Sequence, residues 1–450
     1  MSARSLCPFI GVVAGCILIG FPQTGTAEVR HITLSEAVHL AVNQNHALKI
    51  ARIKIEEYRQ KKAGEHSSYF PVLTNQSNAL HITELQNVLI PAGSLGIVGG
   101  SLIPPLTVNL QQGKQSLYSS GTMFAQPLTQ LIGIHQKNRI AAADIAISRD
   151  DLKKAEDEIA VQVHTLYYGI LVTQLQKKAA DQETLYAQEN LRESEQDVRA
   201  GSALKTAAIG SRADLLQAQQ SVLTADLQLA DLKTELNDAL GLPLDTELEL
   251  EPAPPAQFEA RDKSEYLKIA WAENPEIRAA EDTVRKARAA VSAAKTAYIP
   301  NITAYARHSY QDGVPFLVHN FGTFGVTLDY DIFDFGKRRA AVRESEDQLA
   351  EAEENVERLK DEVAVSIERS YNKVEQTKHM VNVATQVVSL RQEDERITTN
   401  QLAQGEVQVT ARRQASAANY KAQADLLQAS LGYLLAQAEL EEAVGRTPGL

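Results

Sequence analysis

The stretch "TFGVTLDYDIFD" at 323–334 alternates Phe324, Val326, Leu328, Tyr330 and Ile332 with Gly325, Thr327, Asp329 and Asp331. Successive side chains of a strand point to opposite faces. The stretch therefore predicts a strand over 322–334, apolar on one face and polar on the other. Directly after it the period changes. Leu349, Ala352, Val356, Leu359 and Val363 recur every three or four residues, the spacing of a long helix over about 337–400. Such a helix of about 65 residues is roughly 100 Å long at 1.5 Å per residue. No compact soluble domain needs that reach.

The unit is written twice. "SSYFP" at 67–71 is echoed by "TAYIP" at 296–300, and an offset of 229 pairs Asn45 with Asn274, Tyr69 with Tyr298 and Pro71 with Pro300. Further on, an offset of 204 pairs Phe124 with Leu328, Tyr167 with Tyr371, Gly201 with Gly405 and Gly241 with Gly445. The difference, 229 − 204 = 25, is extra sequence in repeat one between about 76 and 121. Each repeat reads helix, strand, strand, very long helix, turn, helix. Repeat one covers 28–241, with strands near 72–83 and 116–128, an insertion over 84–115 and a helical hairpin over 131–240. A Pro-rich acidic linker follows at 242–263. Repeat two covers 264–445, with a first helix over 264–297, strands near 301–311 and 322–334 and a hairpin over 336–444; 446–450 is a tail. In both copies Pro71 and Pro300 stop a helix, since proline lacks the N–H and biases its predecessor towards extended structure.

Composition agrees with long helices. Of 450 residues only 6% are aromatic, one is Trp, and the formal charge is −12 without basic blocks, which argues against nucleic acid as a partner. The N-terminus reads as an export signal, "LCPFIGVVAGCILIGF" followed by small residues, with cleavage after Ala27. A second reading takes "VAGC" as a lipoprotein box with Cys16 as the lipidated residue. Both cysteines, Cys7 and Cys16, lie in this segment, so a chain cleaved after Ala27 has neither disulfides nor thiolate metal sites.

A four-stranded sheet with one apolar face has two open edges, and membrane barrels begin at about eight strands. If the apolar face meets lipid, several chains must pool their strands. Thr327, Asp329 and Asp331 then line a water-filled lumen. The helices are too polar to span a bilayer and project into water. A soluble sandwich with an ordinary helical stalk reads the same patterns without a pore.

Taken in order, "ITLSEAVHLAVNQNHAL", "YLKIAWAENPEI", the two Tyr-X-Pro junctions, "YDIFDFGKRRAAV" and "LAQGEVQVTARRQA" resemble TolC-like outer-membrane efflux proteins over nearly the whole chain. The resemblance implies a mainly α fold with a membrane β-barrel. Each subunit of a homotrimer supplies four strands to one 12-stranded barrel, which continues as a periplasmic α-helical tunnel. Implied partners are a periplasmic adaptor (membrane fusion) protein, an inner-membrane RND or ABC transporter and outer-membrane lipid. The implied function is passive exit of drugs, toxic compounds or metal ions, or alternatively of proteins in type I secretion.

The resemblance also implies that the two hairpin turns meet the adaptor and narrow the tunnel. Gly201 and Gly405 suit left-handed turns there. Where some relatives carry constricting carboxylates, this chain has Ala411 and Gln414 beside Arg412 and Arg413. "DLLQA" at 214–218 follows Gly201 seven residues later than "ARRQA" follows Gly405. That predicts a longer repeat-one tip, with Asp214, Arg212 and Arg413 either joined in a salt-bridge cluster or merely solvated. The uncharged segment 85–113 reads as an outer loop over the barrel mouth or a lipid-contacting hairpin. Tyr69, Phe70 and Tyr298 would mark the membrane–water boundary. No HExxH, Walker A or nucleophile elbow is present, so neither catalysis nor a cofactor or resident metal is expected.

Overall fold

The computed structural model describes residues 30–111, 113–251, 262–314 and 317–447. The export signal, its cleavage point and Cys16 lie outside them. In repeat one the order is β1 (Arg30–Ile32), α1 (Leu34–Gln44), α2 (His46–Ser67), β2 (Val72–His81), β3 (Asn87–Ile90), β4 (Ile97–Val98), β5 (Ser101–Leu102), β6 (Val108–Gln111), β7 (Ser116–Pro127), α3 (Leu131–Ala200), α4 (Lys205–Leu240) and β8 (Leu248–Leu250). Repeat two follows with α5 (Lys263–Glu273), α6 (Pro275–Lys295), β9 (Asn301–Asp312), β10 (Asn320–Asp329), α7 (Lys337–Ala403) and α8 (Val409–Val444). At 70 and 67 residues, α3 and α7 are each about 100 Å long.

The central sheet is antiparallel in the order β10-β9-β7-β2, so β2 and β10 are its open edges. Strand β10 ends at Asp329, short of the expected 334. Alternation continues through Tyr330–Phe333, but the chain turns there because Asp334 serves the next helix. Its carboxylate accepts from the backbone N–H of Gly336 (3.1 Å) and of Arg338 (3.0 Å), satisfying donors that the first turn of α7 leaves free. Asp331 accordingly lies outside the strand, its carbonyl accepting from Arg338.

The expected single first helix is also two helices, in both repeats. Asn45 and Asn274 break them. The side-chain oxygen of Asn45 accepts from the N–H of Ala47 (2.8 Å) and Leu48 (3.4 Å), and that of Asn274 from Glu276 (2.9 Å) and Ile277 (3.2 Å). Each therefore caps the helix that follows. Their amide nitrogens reach across the fold to carbonyls of the returning hairpin arms, Asn45 to Ala239 (3.1 Å) and Asn274 to Ala443 (3.0 Å). The arms end there in left-handed glycines, Gly241 (φ 68°) and Gly445 (φ 91°). These four residues form two equivalent nodes at the middle of the helical body.

Each node sits in its own core. The repeat-one core gathers Val38, Ala41, Val163, Tyr167, Leu236 and Leu240 between α1, α3 and α4. The fully buried Tyr167 hydroxyl shares its proton between the carbonyls of Glu251 (2.6 Å) and Ile32 (3.0 Å), tying in the parallel pair β1-β8. Burial pushes its pKa up to about 12. The repeat-two core gathers Tyr266, Ile277, Ile367, Val374 and Leu440 between α5, α6, α7 and α8. The linker region contributes β8, and its residues 252–261 lie outside those described.

Candidate functional site

The sheet register sorts every strand residue onto one of two faces, because directly paired residues share a face. One face carries Leu73, Phe124, Ile302, Ala304, Ala306, Phe324, Val326 and Leu328 in its half nearer the helices. In its far half the small polar side chains pair with one another: Asn75 donates to Thr122 at 2.8 Å, and the Ser77 and Ser120 hydroxyls are 2.9 Å apart. Tyr118 and Tyr310 stack at the far end with centroids 5.9 Å apart. The opposite face carries Thr303, Arg307, Gln311, Thr323, Thr327 and Asp329. Thr327 and Asp329 thus share the polar face, whereas Asp331 does not belong to the sheet.

Where helices meet sheet, the junction residues are held by three local sets of contacts. The Tyr69 hydroxyl lies 3.3 Å from His135 Nδ1, and its carbonyl accepts from Gln126 at 3.1 Å. The Pro300 carbonyl accepts from Thr129 at 2.7 Å. The guanidinium of Arg338 donates to Asp334 at 2.7 Å and lies 5.6 Å and 4.9 Å from the ring centres of Tyr298 and Tyr330. That pairing holds the Asp334 carboxyl below the usual carboxylate range. Phe70, Ile332, Phe333 and Phe335 stand exposed at this junction; Ile332 is 90% and Phe335 92% exposed. Phe70 follows Tyr69 into the turn and Pro71 precedes β2.

Beyond β2 and β7 the insertion is a two-tier hairpin, β3 paired with β6 and β4 with β5, on the side of the sheet away from the helices. It is separate from the four-stranded sheet.

At the other end of the body both turns use the predicted glycines, Gly201 at φ 79° and Gly405 at φ 77°. Two expectations fail there. Both returning arms span 40 residues between their glycines (241 − 201 and 445 − 405), so the repeat-one tip is not longer; the similar phrases at 214–218 and 411–415 are not equivalent in the structure. Among the described residues of the chain, Asp214 forms no ion pair with Arg212 or Arg413, so the cluster is not seen either. Arg212 and Asp214 are exposed on α4, while Arg412 and Arg413 are half-buried on α8, with Arg413 Nε lacking a hydrogen-bond partner. Sequence proximity to a turn does not fix the direction a side chain takes around its helix, and here α3 separates α4 from α8.

Two apolar stripes escaped the sequence reading. On α4, Ile209, Leu216, Leu223 and Leu227 are exposed at heptad spacing; on α7, Met380, Val383, Val387, Leu390 and Ile397 are too. Each stripe spans about 26 Å at 1.5 Å per residue, starts beside a tip and faces away from the chain's own helices. The stripes lie on opposite outer edges of the helical layer, because α4 packs on α3 and α1 while α7 packs on α8, α6 and α5.

Beside the repeat-two node a cavity of about 400 Å³ is lined by Asp157, Glu276, Glu362, Glu439 and Glu442, with Lys154. Asp157 is buried. Its Oδ1 accepts from Lys153 (2.9 Å) and Thr447 (2.5 Å), and its Oδ2 has no partner. Burial, then the charges of Glu158, Asp157, Glu439 and Glu276, push the Glu442 carboxyl above its ordinary range. A carboxyl raised in the folded state weakens folding at pH above its unfolded value, and the loss fades as pH falls through the raised pKa. Glu442→Gln is therefore expected to raise the helical melting temperature at neutral pH, with the gain vanishing below about pH 4.5; melts at both pH values followed by circular dichroism check this.

Residues 266–446, which include β9, β10 and the second hairpin, match the outer membrane efflux protein family. The chain is thus similar to that family over its second repeat. It is 26% identical over 373 residues to the outer membrane efflux protein BepC of Brucella suis, covering 81% of this chain and 74% of that one. It is 23% identical over 342 residues to the alkaline protease secretion protein AprF of Pseudomonas aeruginosa, covering 73% and 69%. The fold is similar to the Campylobacter jejuni outer membrane channel CmeC, with TM-score 0.74 and 15% identity over 92% of this chain and 85% of that one. That family and the channel structure it resembles are outer-membrane proteins rather than enzymes, which places this chain in the outer membrane. The helical tunnel-and-barrel fold class follows from the same likeness.

Proposed function

We propose that three copies of the chain close into one 12-stranded barrel with a helical tunnel beneath it, and that the assembly is the passive exit duct of a tripartite efflux pump. The carrying observation is the open sheet. Its edges β2 and β10 run antiparallel to each other, so β10 of one copy can pair with β2 of the next, and closure removes every unpaired backbone edge from the lipid. The stripes on α4 and α7 support the same arrangement. Equal in length, level with one another and antiparallel, they suit a coiled-coil seam between neighbours.

In this reading the face with Phe324, Val326 and Leu328 meets lipid, and Thr327 and Asp329 line the lumen. Strands of 10–12 residues tilted by about 40° rise roughly 26 Å, which suits the apolar band of an outer membrane. Tyr69, Phe70, Tyr298, Phe333 and Phe335 lie at its inner boundary and Tyr118 and Tyr310 at its outer one. The two-tier hairpin stands at the outer mouth. The tips around Gly201 and Gly405 reach into the periplasm towards an adaptor, which couples them to an inner-membrane RND or ABC transporter. Small toxic molecules are the proposed cargo, since the relative's name gives efflux without saying of what; the likeness to a protease secretion protein keeps type I secretion as the second reading.

The purified protein is expected to conduct in a planar bilayer, and a single cysteine near Gly405 to cross-link to a periplasmic adaptor in cells. A non-conducting protein with no cross-linked adaptor would overturn the duct. Drug or metal sensitivity of a deletion strain with unchanged secreted proteins supports efflux; the reverse pattern supports secretion.

A further inference from the structure

We propose that Arg307 forms a ring of three guanidinium groups in the barrel lumen that favours anionic solutes at the exit; this rests on the trimeric duct proposed above. The residue lies in the middle of β9, paired with Met123 on β7 and Thr323 on β10. By register it shares the face of Thr303, Thr327 and Asp329, opposite Ala306, Val326 and Leu328. An arginine on the lipid face near the midplane is strongly disfavoured, so the residue itself selects its face as the lumen side.

Arg307 and Asp329 are the charged residues on this face of the four strands. They do not neutralise each other. Asp329 pairs with Asn301, six residues along β9 from Arg307, which is roughly 20 Å at 3.3 Å per residue and well beyond the Debye length of about 8 Å at physiological salt. Among the described residues no acidic side chain forms an ion pair with Arg307. Its guanidinium instead lies against Gly121, where an added Cβ would stand 2.6 Å from Nη2. Gly121 leaves room for the guanidinium to rest on the sheet with its charge exposed to the lumen.

Twelve strands spaced about 4.8 Å apart and tilted about 40° enclose a backbone diameter of roughly 24 Å. Three charges about 8 Å from the axis, in water and screened by physiological salt, enrich a monovalent anion on the axis about two- to threefold and deplete a cation equally. The effect is larger at low salt. The chain as a whole carries formal charge −12, so this ring is a local positive collar within an acidic protein. Carboxylate-bearing or otherwise anionic solutes are the class it would favour.

The test is the reversal potential of single channels in a tenfold KCl gradient at low salt, for the wild type and for Arg307→Lys, Arg307→Gln and Arg307→Glu. Arg307→Lys is expected to match the wild type. Arg307→Gln shifts the potential towards K⁺ by a several-fold fall in the Cl⁻/K⁺ permeability ratio, and Arg307→Glu shifts it further. Conducting channels whose reversal potential is the same in all four proteins would overturn the ring while leaving the duct intact. A wild type that inserts but does not conduct would overturn the duct and the ring with it.

Discussion

Gly445→Ala is expected to destabilise the helical body by about 2–5 kcal/mol. The residue holds φ at 91°, where a side chain clashes with its own backbone at a cost of about 1–2 kcal/mol. The added Cβ would also lie 2.6 Å from the Cα of Asn274 and 2.9 Å from the carbonyl oxygen of Glu273. These are backbone atoms of the node and cannot rotate away, so overlap adds about 1–3 kcal/mol. Gly405→Ala is the control. It has a similar positive φ, 77°, but nothing within 4 Å of the new atom, so only the conformational cost of about 1–2 kcal/mol applies. Denaturant unfolding followed by the helical circular dichroism signal compares the two. Equal losses would show that the node is not tightly packed.

Asn45→Ala should cost about 1.5–5 kcal/mol in the same assay. Losing a capping oxygen costs about 0.5–2 kcal/mol. Losing the amide leaves the Ala239 carbonyl without its partner in a buried setting, about 1–3 kcal/mol more. Asn274→Ala follows the same logic with a smaller second contribution, because the bond to Ala443 is less buried. The two nodes share no partner, so the double variant should lose the sum. Asn45→Asp keeps the cap and loses the donor, which separates the two contributions.

These nodes were half visible in the sequence. The offset of 229 aligned Asn45 with Asn274, and Pro275 after Asn274 was a helix-start signal. Asparagine is only mildly unfavourable inside a helix, however, and Asn45 is followed by His46, so the apolar spacing carried the reading straight through. What makes the break stable is tertiary: a carbonyl supplied by an arm 194 residues further along the chain. The strand at 323–334 failed at its end for a related reason. Period-two alternation runs on to Ile332, but Asp334 and Arg338 convert the last residues into the approach to α7.

The helical hairpins were legible throughout because their spacing is long and regular. The same regularity hid the outer stripes. On α4, Leu215, Ala218, Val222, Ala225 and Leu229 recur at three- and four-residue spacing on the face that packs inside the chain, while Ile209, Leu216, Leu223 and Leu227 repeat on the face left exposed. Heptad spacing marks an apolar face but does not say whose helix covers it. The tip charges failed because pairing depends on which helices are neighbours, and α4 and α8 are not.

The central claim is that the sheet closes between copies, β10 of one against β2 of the next. Ser77 lies mid-way along the free edge of β2, and Phe324 and Val326 mid-way along that of β10, all three on the same sheet face. A chain cleaved after Ala27 has no cysteine of its own, so Ser77→Cys combined with Phe324→Cys or with Val326→Cys reports only that contact. After mild oxidation in outer membranes, denaturing gels without reductant are expected to show covalently closed trimers that revert to monomers with reductant. Monomers alone from both double variants, when each is correctly exported and folded, would contradict a barrel built from three chains.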